Sequence, residues 1–189
     1  MKHLTYNLIA TCNEWTKPTA RELRLAQKRL QAAYEKYWRG LENLKPRLSA
    51  SAWNFFRYGR DENGLHDGRL LSLRIGDGLD YTADGSLPFR LNHQHTGAIV
   101  EFLNYEQSFH YTFDLRRVTE VETDLFIDEG LFTKSLGDLY LLELTETKDK
   151  DLQLGFLFAT GAMIVIKFKR LVFRRRRLKR KYKPGEMYS

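Results

Sequence analysis

Residues 98–117, AIVEFLNYEQSFHYTFDLRR, decide how this chain folds. In the second half Phe109, Tyr111, Phe113 and Leu115 alternate with His110, Thr112, Asp114 and Arg116. That period of two sends the apolar set to one face of a strand and the polar set to the other. Ala98 to Tyr105 and Ser108 to Arg117 therefore read as the arms of an antiparallel hairpin around Glu106-Gln107. A lone hairpin is marginal in water, so further strands or a covering helix must complete the core.

On the C-terminal side, Val118 to Phe126 predicts another strand and residues 127–137 a loop. Leu139 to Thr145, Leu152 to Phe158 and Ala162 to Phe173 predict a meander turning at Lys148 to Asp151 and at Thr160-Gly161. The last of these alternates Ile164, Ile166 and Phe168 against Val165, Lys167 and Lys169, giving one buried face and one basic face. On the N-terminal side, Leu71, Leu73 and Ile75 alternate with Ser72 and Arg74. Gly76-Asp77-Gly78 predicts a turn, with Leu79 and Tyr81 opening a further short strand.

Before residue 60 the period changes to that of a helix. Thr19 and Glu22 have capping-box spacing, and Leu23, Ala26, Leu30, Ala33, Tyr37, Leu41 and Leu44 form one apolar stripe. A helix from Thr19 to Leu44 follows, ended by Pro46, which disfavours helical geometry at Lys45. Ser49 starts a second, shorter helix whose Trp53, Phe55 and Phe56 are placed to join the helices to the strands, with Gly59 as its stop. The expected fold class is α+β: N-terminal helices (1–60) on a mostly antiparallel meander (61–173), with a basic C-terminal tail (174–189).

Composition narrows the function classes. The chain has 189 residues, 42% of them hydrophobic, including 12 Phe, 10 Tyr and 3 Trp, enough for one sizeable core. Cys12 is the only cysteine, so no internal disulfide and no cysteine-based zinc site is expected. Met1 to Ala10 lacks the apolar run of a secretory signal. Leu152 to Ile166 is too short and too polar for a membrane span. A cytoplasmic protein without membrane contact is the expectation.

The net charge of +7 is unevenly distributed: residues 17–47 hold nine Lys/Arg against three acids, residues 167–183 hold eleven and no acid, and the remainder is acidic. A basic helix, an acidic body and a basic tail result.

Few residues suggest catalysis. His93 and His95 have the spacing of strand metal ligands, yet no Cys or further His completes a set, and a polar loop is the better reading. His66-Asp67 lacks a nucleophile, and adjacent strand residues face opposite sides, so a turn or strand start fits better. Glu146-Thr147-Lys148 after the apolar strand resembles the Glu-x-Lys end of metal-dependent nuclease cores, with Asp124 or Asp138 as the upstream carboxylate. Its position beside a hairpin turn favours a solvated charge run instead. No phosphate loop or dinucleotide fingerprint is present, no cofactor is expected, and the protein is read as not an enzyme.

The basic run remains the strongest signal. Phosphates recruit clustered Lys and Arg because neutralising them releases counterions, and arginine adds forked hydrogen bonds. The expected nucleic-acid-binding set is Lys167, Lys169 and Arg170 on the last strand, Arg174, Arg175, Arg176 and Arg177 behind it, and Lys179, Arg180, Lys181 and Lys183 in the tail. Phe173 and Tyr182 are expected to supply stacking surfaces, and the helix face bearing Arg21, Arg24 and Lys28 to assist. Docking of the run on an acidic protein surface is the competing expectation.

One family likeness bears on the partner. Leu65-His66-Asp67, the strand Arg69 to Ile75, the segment Phe113 to Val121, then Leu139 to Leu144 and Ile164 to Phe173 resemble small bacterial β-rich domains classed with toxin-immunity proteins, over residues 64–173. The resemblance implies a non-enzymatic domain that masks a toxin, here through the acidic β body by charge complementarity. The long helix and the Arg-rich end depart from that pattern. The leading expectation is therefore a protein that binds nucleic acid, RNA favoured over DNA, in a ribonucleoprotein or bacterial defence complex. The alternative is an immunity or antitoxin protein acting through acids such as Glu120, Glu122 and Asp124.

Overall fold

A computed structural model describes residues 11–12, 17–58, 65–77, 95–124 and 136–179. Two helices precede six strands: α1 (Ala20–Leu44), α2 (Ala50–Tyr58), β1 (Arg69–Asp77), β2 (Thr96–Leu103), β3 (Phe109–Asp124), β4 (Leu139–Glu146), β5 (Leu152–Phe158) and β6 (Met163–Arg177). Thr19 and Glu22 close the capping box of α1, the Thr19 N–H donating to Glu22 Oε2 at 2.8 Å. Pro46 lies in a single 3-10 turn, Lys45–Arg47, which separates the helices. Ser49 Oγ then accepts from the Ala52 N–H at 3.2 Å and caps α2.

All strand pairs are antiparallel, in the order β1-β2-β3-β6-β5-β4. The sheet is thus two three-stranded meanders laid side by side, with the last strand of each, β3 and β6, at the seam. Two expectations need correction. Val118 does not open a new strand: β3 runs unbroken to Asp124, re-aimed by Arg117 at φ 56° and by a one-residue bulge between Val118 and Glu120. Gly76 and Asp77 do not turn the chain either, because both pair with β2. Leu79, Tyr81, His93 and Gly59 lie outside the described residues.

The sheet curls. In a flat sheet β2 and β5 would lie three strand spacings apart, about 14 Å. Yet the Phe102 and Phe156 rings stack with centroids 5.2 Å apart. The first and last strands also touch at one corner: Leu139 N–H donates to Gly68 O at 2.7 Å and Asp67 N–H to Leu139 O at 2.9 Å. The Leu-His-Asp motif therefore serves the fold, as the turn that joins β1 to β4. Because this is a turn with Asp67 at φ 59°, His66 and Asp67 do meet, at 3.0 Å, contrary to the opposite-face geometry of a strand.

A Cβ on Gly68 would lie 2.9 Å from Leu65 O and 3.0 Å from Leu103 O, both backbone atoms that cannot swing away. Gly68→Ala is expected to cost about 1–3 kcal/mol as overpacking, read as a lower midpoint in urea unfolding.

Inside the curl, Phe102, Tyr111, Phe113, Leu115, Phe156, Phe158 and Phe168 are fully buried. Phe55 of α2 stacks on Phe173 at 4.5 Å and closes this interior from one side. The far side of β4 and β5 is covered by α1, whose Leu30, Ala33 and Tyr34 pack with Tyr140, Leu141 and Leu157. Tyr37, Leu41 and Leu44 join the main core, so helices and sheet share one hydrophobic interior. Arg57–Glu42 at 3.1 Å and Arg47–Glu146 at 2.8 Å tie helix to helix and helix end to sheet.

Candidate nucleic-acid interface

β6 passes Phe168, the last of its residues to pair with β5, and continues to Arg177 with β3 as its strand neighbour. Arg174, Arg175, Arg176 and Arg177 are therefore strand residues, and the boundary expected at 173 falls inside an element. Ser108 O accepts from the Leu178 N–H at 2.8 Å and holds the strand's end. Run-like charge concealed the alternation here. Leu171 and Phe173 are buried, which sends Arg170, Val172, Arg174 and Arg176 to the opposite, outward face.

The outward residues of β1, β2 and β3 extend this face. His110, Thr112, Asp114 and Arg116 on β3 stand opposite Arg176, Arg174, Val172 and Arg170 in the register. Glu101 of β2 accepts from Ser72 Oγ at 2.7 Å and from Arg74 Nη2 at 3.2 Å, with His110 Nε2 at 3.4 Å. Asp114 lies 3.1 Å from Arg116 Nη2 and 4.0 Å from Arg174 Nη2. Five arginines thus face two carboxylates. One cross-strand pair, Arg116 with Arg170, sets cation opposite cation, and His110 stands opposite Arg176. Direct opposition of like charges costs a sheet stability, a cost that a bound anion would offset.

The structure divides the expected binding residues. Arg170, Arg174 and Arg176 lie together on the outward face. Arg177 stands opposite Phe109 at the same end, and Lys179 follows it. Arg170, Arg176, Arg177 and Lys179 have no acidic partner among the described residues. Arg175 lies on the row of Leu171 and Phe173 but is exposed, its guanidinium 4.9 Å from the Phe109 ring centroid and beside the fully buried Tyr111. Burial pushes the Tyr111 phenol up, while the charge and hydrogen bond of Arg175 oppose the rise. Lys167 is bound to Glu120 at 2.6 Å and lies 3.8 Å from Glu122, and Lys169 is bound to Asp151. Each of these three cations has a partner within the fold. Phe173 is a core residue and offers no surface. Arg180, Lys181, Tyr182 and Lys183 lie outside the described residues. Arg21, Arg24 and Lys28 are exposed on α1, which packs against β4.

Asp151 is held below the usual carboxyl range, first by the Lys169 hydrogen bond and further by that of Thr119, against the opposing effect of burial. A carboxyl lowered on folding contributes stability above its unfolded value, near ~3.9, and loses it as pH falls through the lower folded value. Asp151→Asn is expected to flatten that acid limb of a stability-versus-pH profile followed by urea midpoints.

At the far end of β3 and β6 the outward face reverses sign. Glu122, Glu146, Asp149, Lys148 and Lys167 border an open groove of about 430 Å³. The Lys167 hydrogen bond lowers Glu120, whereas the neighbouring Glu120 raises Glu122. Glu146 of the Glu-x-Lys segment is engaged by Arg47 at 2.8 Å and Lys150 at 3.5 Å. No group of three or more His, Cys, Asp or Glu is arranged to hold a metal among the described residues. No helix among them is long and apolar enough to cross a membrane. Searches of family models, curated proteins and solved structures return no match to this chain.

Proposed function

We propose that this protein is a non-enzymatic, cytoplasmic binding protein whose outward β3/β6 face contacts nucleic-acid phosphates, as a subunit of a ribonucleoprotein or bacterial defence complex. The observation that carries this reading is the outward row of arginines: Arg116 opposite Arg170, with Arg174 and Arg176 further along β6 on the same face. Phosphates set along these strands would neutralise cations that the fold leaves opposed, releasing their own counterions. RNA is favoured over a specific DNA sequence because the clustered cations lie on a sheet face and not on a groove-reading helix pair.

Photo-crosslinking of the full chain to a labelled RNA, followed by mass spectrometry, tests the reading. Adducts in the β3 and β6 peptides spanning residues 110–116 and 170–176 are expected. Adducts confined to other segments, or none, would remove it.

A second reading rests on the opposite end. The groove beside Glu122, Glu146 and Asp149 gives an acidic face that suits masking a basic toxin, in line with the resemblance to immunity domains. Such masking would survive charge reversal at Arg174 and Arg176 and fail on reversal of Asp149.

A further inference from the structure

The arginine face ends at the β2–β3 turn, and that turn presents an aromatic ring. Tyr105 is 74% exposed, the most open of the large apolar or aromatic side chains among the described residues. Its backbone is nevertheless firmly set. Asn104, 3% exposed, accepts from the Ser108 N–H at 2.9 Å and the Phe109 N–H at 2.8 Å, and its amide donates to Ser108 Oγ at 3.0 Å. Gln107, at φ 55°, closes the turn by donating its N–H to Asn104 O at 2.9 Å. A buried side chain thus organises a turn whose one aromatic residue points into solvent, where its burial adds nothing to the core.

The turn is bound to the arginine strand. Leu178 N–H donates to Ser108 O, so Arg176, Arg177 and Lys179 lie at the end of β6 beside it. The β2 arm is two strand spacings from β6, about 10 Å. From Arg170 to Arg176 the outward row extends about 20 Å at the rise of a β-strand, and the turn that carries Tyr105 adjoins the strand just beyond its far end. Glu106 is the turn's only acid, against the three cations. A cationic track that ends at an exposed ring is the arrangement by which proteins hold unpaired strands, because every base has a face to stack and a paired base does not offer it.

We infer that the ligand is single-stranded nucleic acid, held by its phosphates along Arg170, Arg174 and Arg176 and by one base stacked on Tyr105. This rests on the proposed phosphate-binding face and adds to it the strandedness of the ligand and the residue that reads it. Phosphate contacts alone would accept a duplex, an unpaired strand or a backbone without bases in proportion to charge. The ring makes the difference among them.

The test measures affinity of the full chain for three labelled RNAs of equal phosphate count: a single-stranded oligouridine, the same backbone with abasic sugars, and a duplex. The intact protein is expected to bind the oligouridine about 5- to 150-fold more tightly than the abasic strand, the equivalent of one stacked base, and more tightly than the duplex. A duplex bound as tightly as the oligouridine would overturn the inference. Tyr105→Ala should erase that preference while leaving abasic binding unchanged, and Tyr105→Phe should keep it. Equal binding of oligouridine and abasic strand by the intact protein, or an unchanged preference in Tyr105→Ala, would overturn the inference and leave the phosphate face standing. If none of the three RNAs binds, the phosphate face fails and the inference with it.

Discussion

Phe113→Ala is expected to lower the unfolding free energy by about 3–5 kcal/mol, the largest single-residue effect on the fold. Phe113 is fully buried and sits where α2 and both meanders converge. Its ring lies 5.3 Å from Phe173, 5.7 Å from Phe55, 5.9 Å from Phe156 and 6.2 Å from Phe102. Alanine would open a cavity bordered by a helix and three strands, none of which can move in alone. With total stability of domains typically about 5–15 kcal/mol, the variant should be marginal at room temperature, as equilibrium urea unfolding followed by tryptophan fluorescence will show. A loss under about 1 kcal/mol would mean the core collapses around the gap, at odds with the close packing described.

Arg174→Glu with Arg176→Glu carries the largest expected effect on function. Both side chains lie on the outward face and outside the core, so the fold should tolerate the change. Each reversal removes an attraction to phosphate and substitutes a repulsion of similar size. In fully solvated surroundings, at contact distance, each interaction is worth about 1 kcal/mol. Screening reduces the sum, and an affinity loss on the order of 100-fold at low salt is expected. Arg175→Glu is the informative contrast. Arg175 lies on Phe109 and beside Tyr111, so its reversal should lower stability as well as binding. Shortening the chain at Val172 would not isolate a tail, since it would remove residues 173–177 of β6, which pair with Phe109 to Phe113 of β3.

The hairpin of β2 and β3 was legible because alternation and turn composition are local properties, and Phe109, Tyr111, Phe113 and Leu115 show them without interruption. The helices were legible for the same reason, from the Thr19 capping box to the turn at Pro46. Strand order was not, because the juxtaposition of β3 and β6 joins residues such as Phe113 and Phe173 across the whole of β4 and β5. Nothing in either strand alone names its partner.

The binding set was partly legible. Charge density located β6, but charge also hid the strand: Arg175 and Arg177 occupy the row that Leu171 and Phe173 fill with apolar side chains, so the periodicity vanishes into an apparent tail. The acids that pair with Lys167 and Lys169 are Glu120, 47 residues away, and Asp151, 18 residues away. A lysine's availability depends on such distant neighbours. Tyr105 was read only as the end of a hairpin arm, since exposure of a turn residue is decided by how Asn104 is buried.

The salt dependence of RNA binding tests the central claim most directly. Anisotropy of a labelled single-stranded RNA with the full chain, repeated across a series of salt concentrations, gives the number of phosphates engaged. A straight log–log plot with a slope of about −0.7 for each contact is expected, near −2 for Arg170, Arg174 and Arg176 together and shallower in Arg174→Glu, Arg176→Glu. No binding at the lowest salt, or a slope unchanged by the double reversal, would contradict the account.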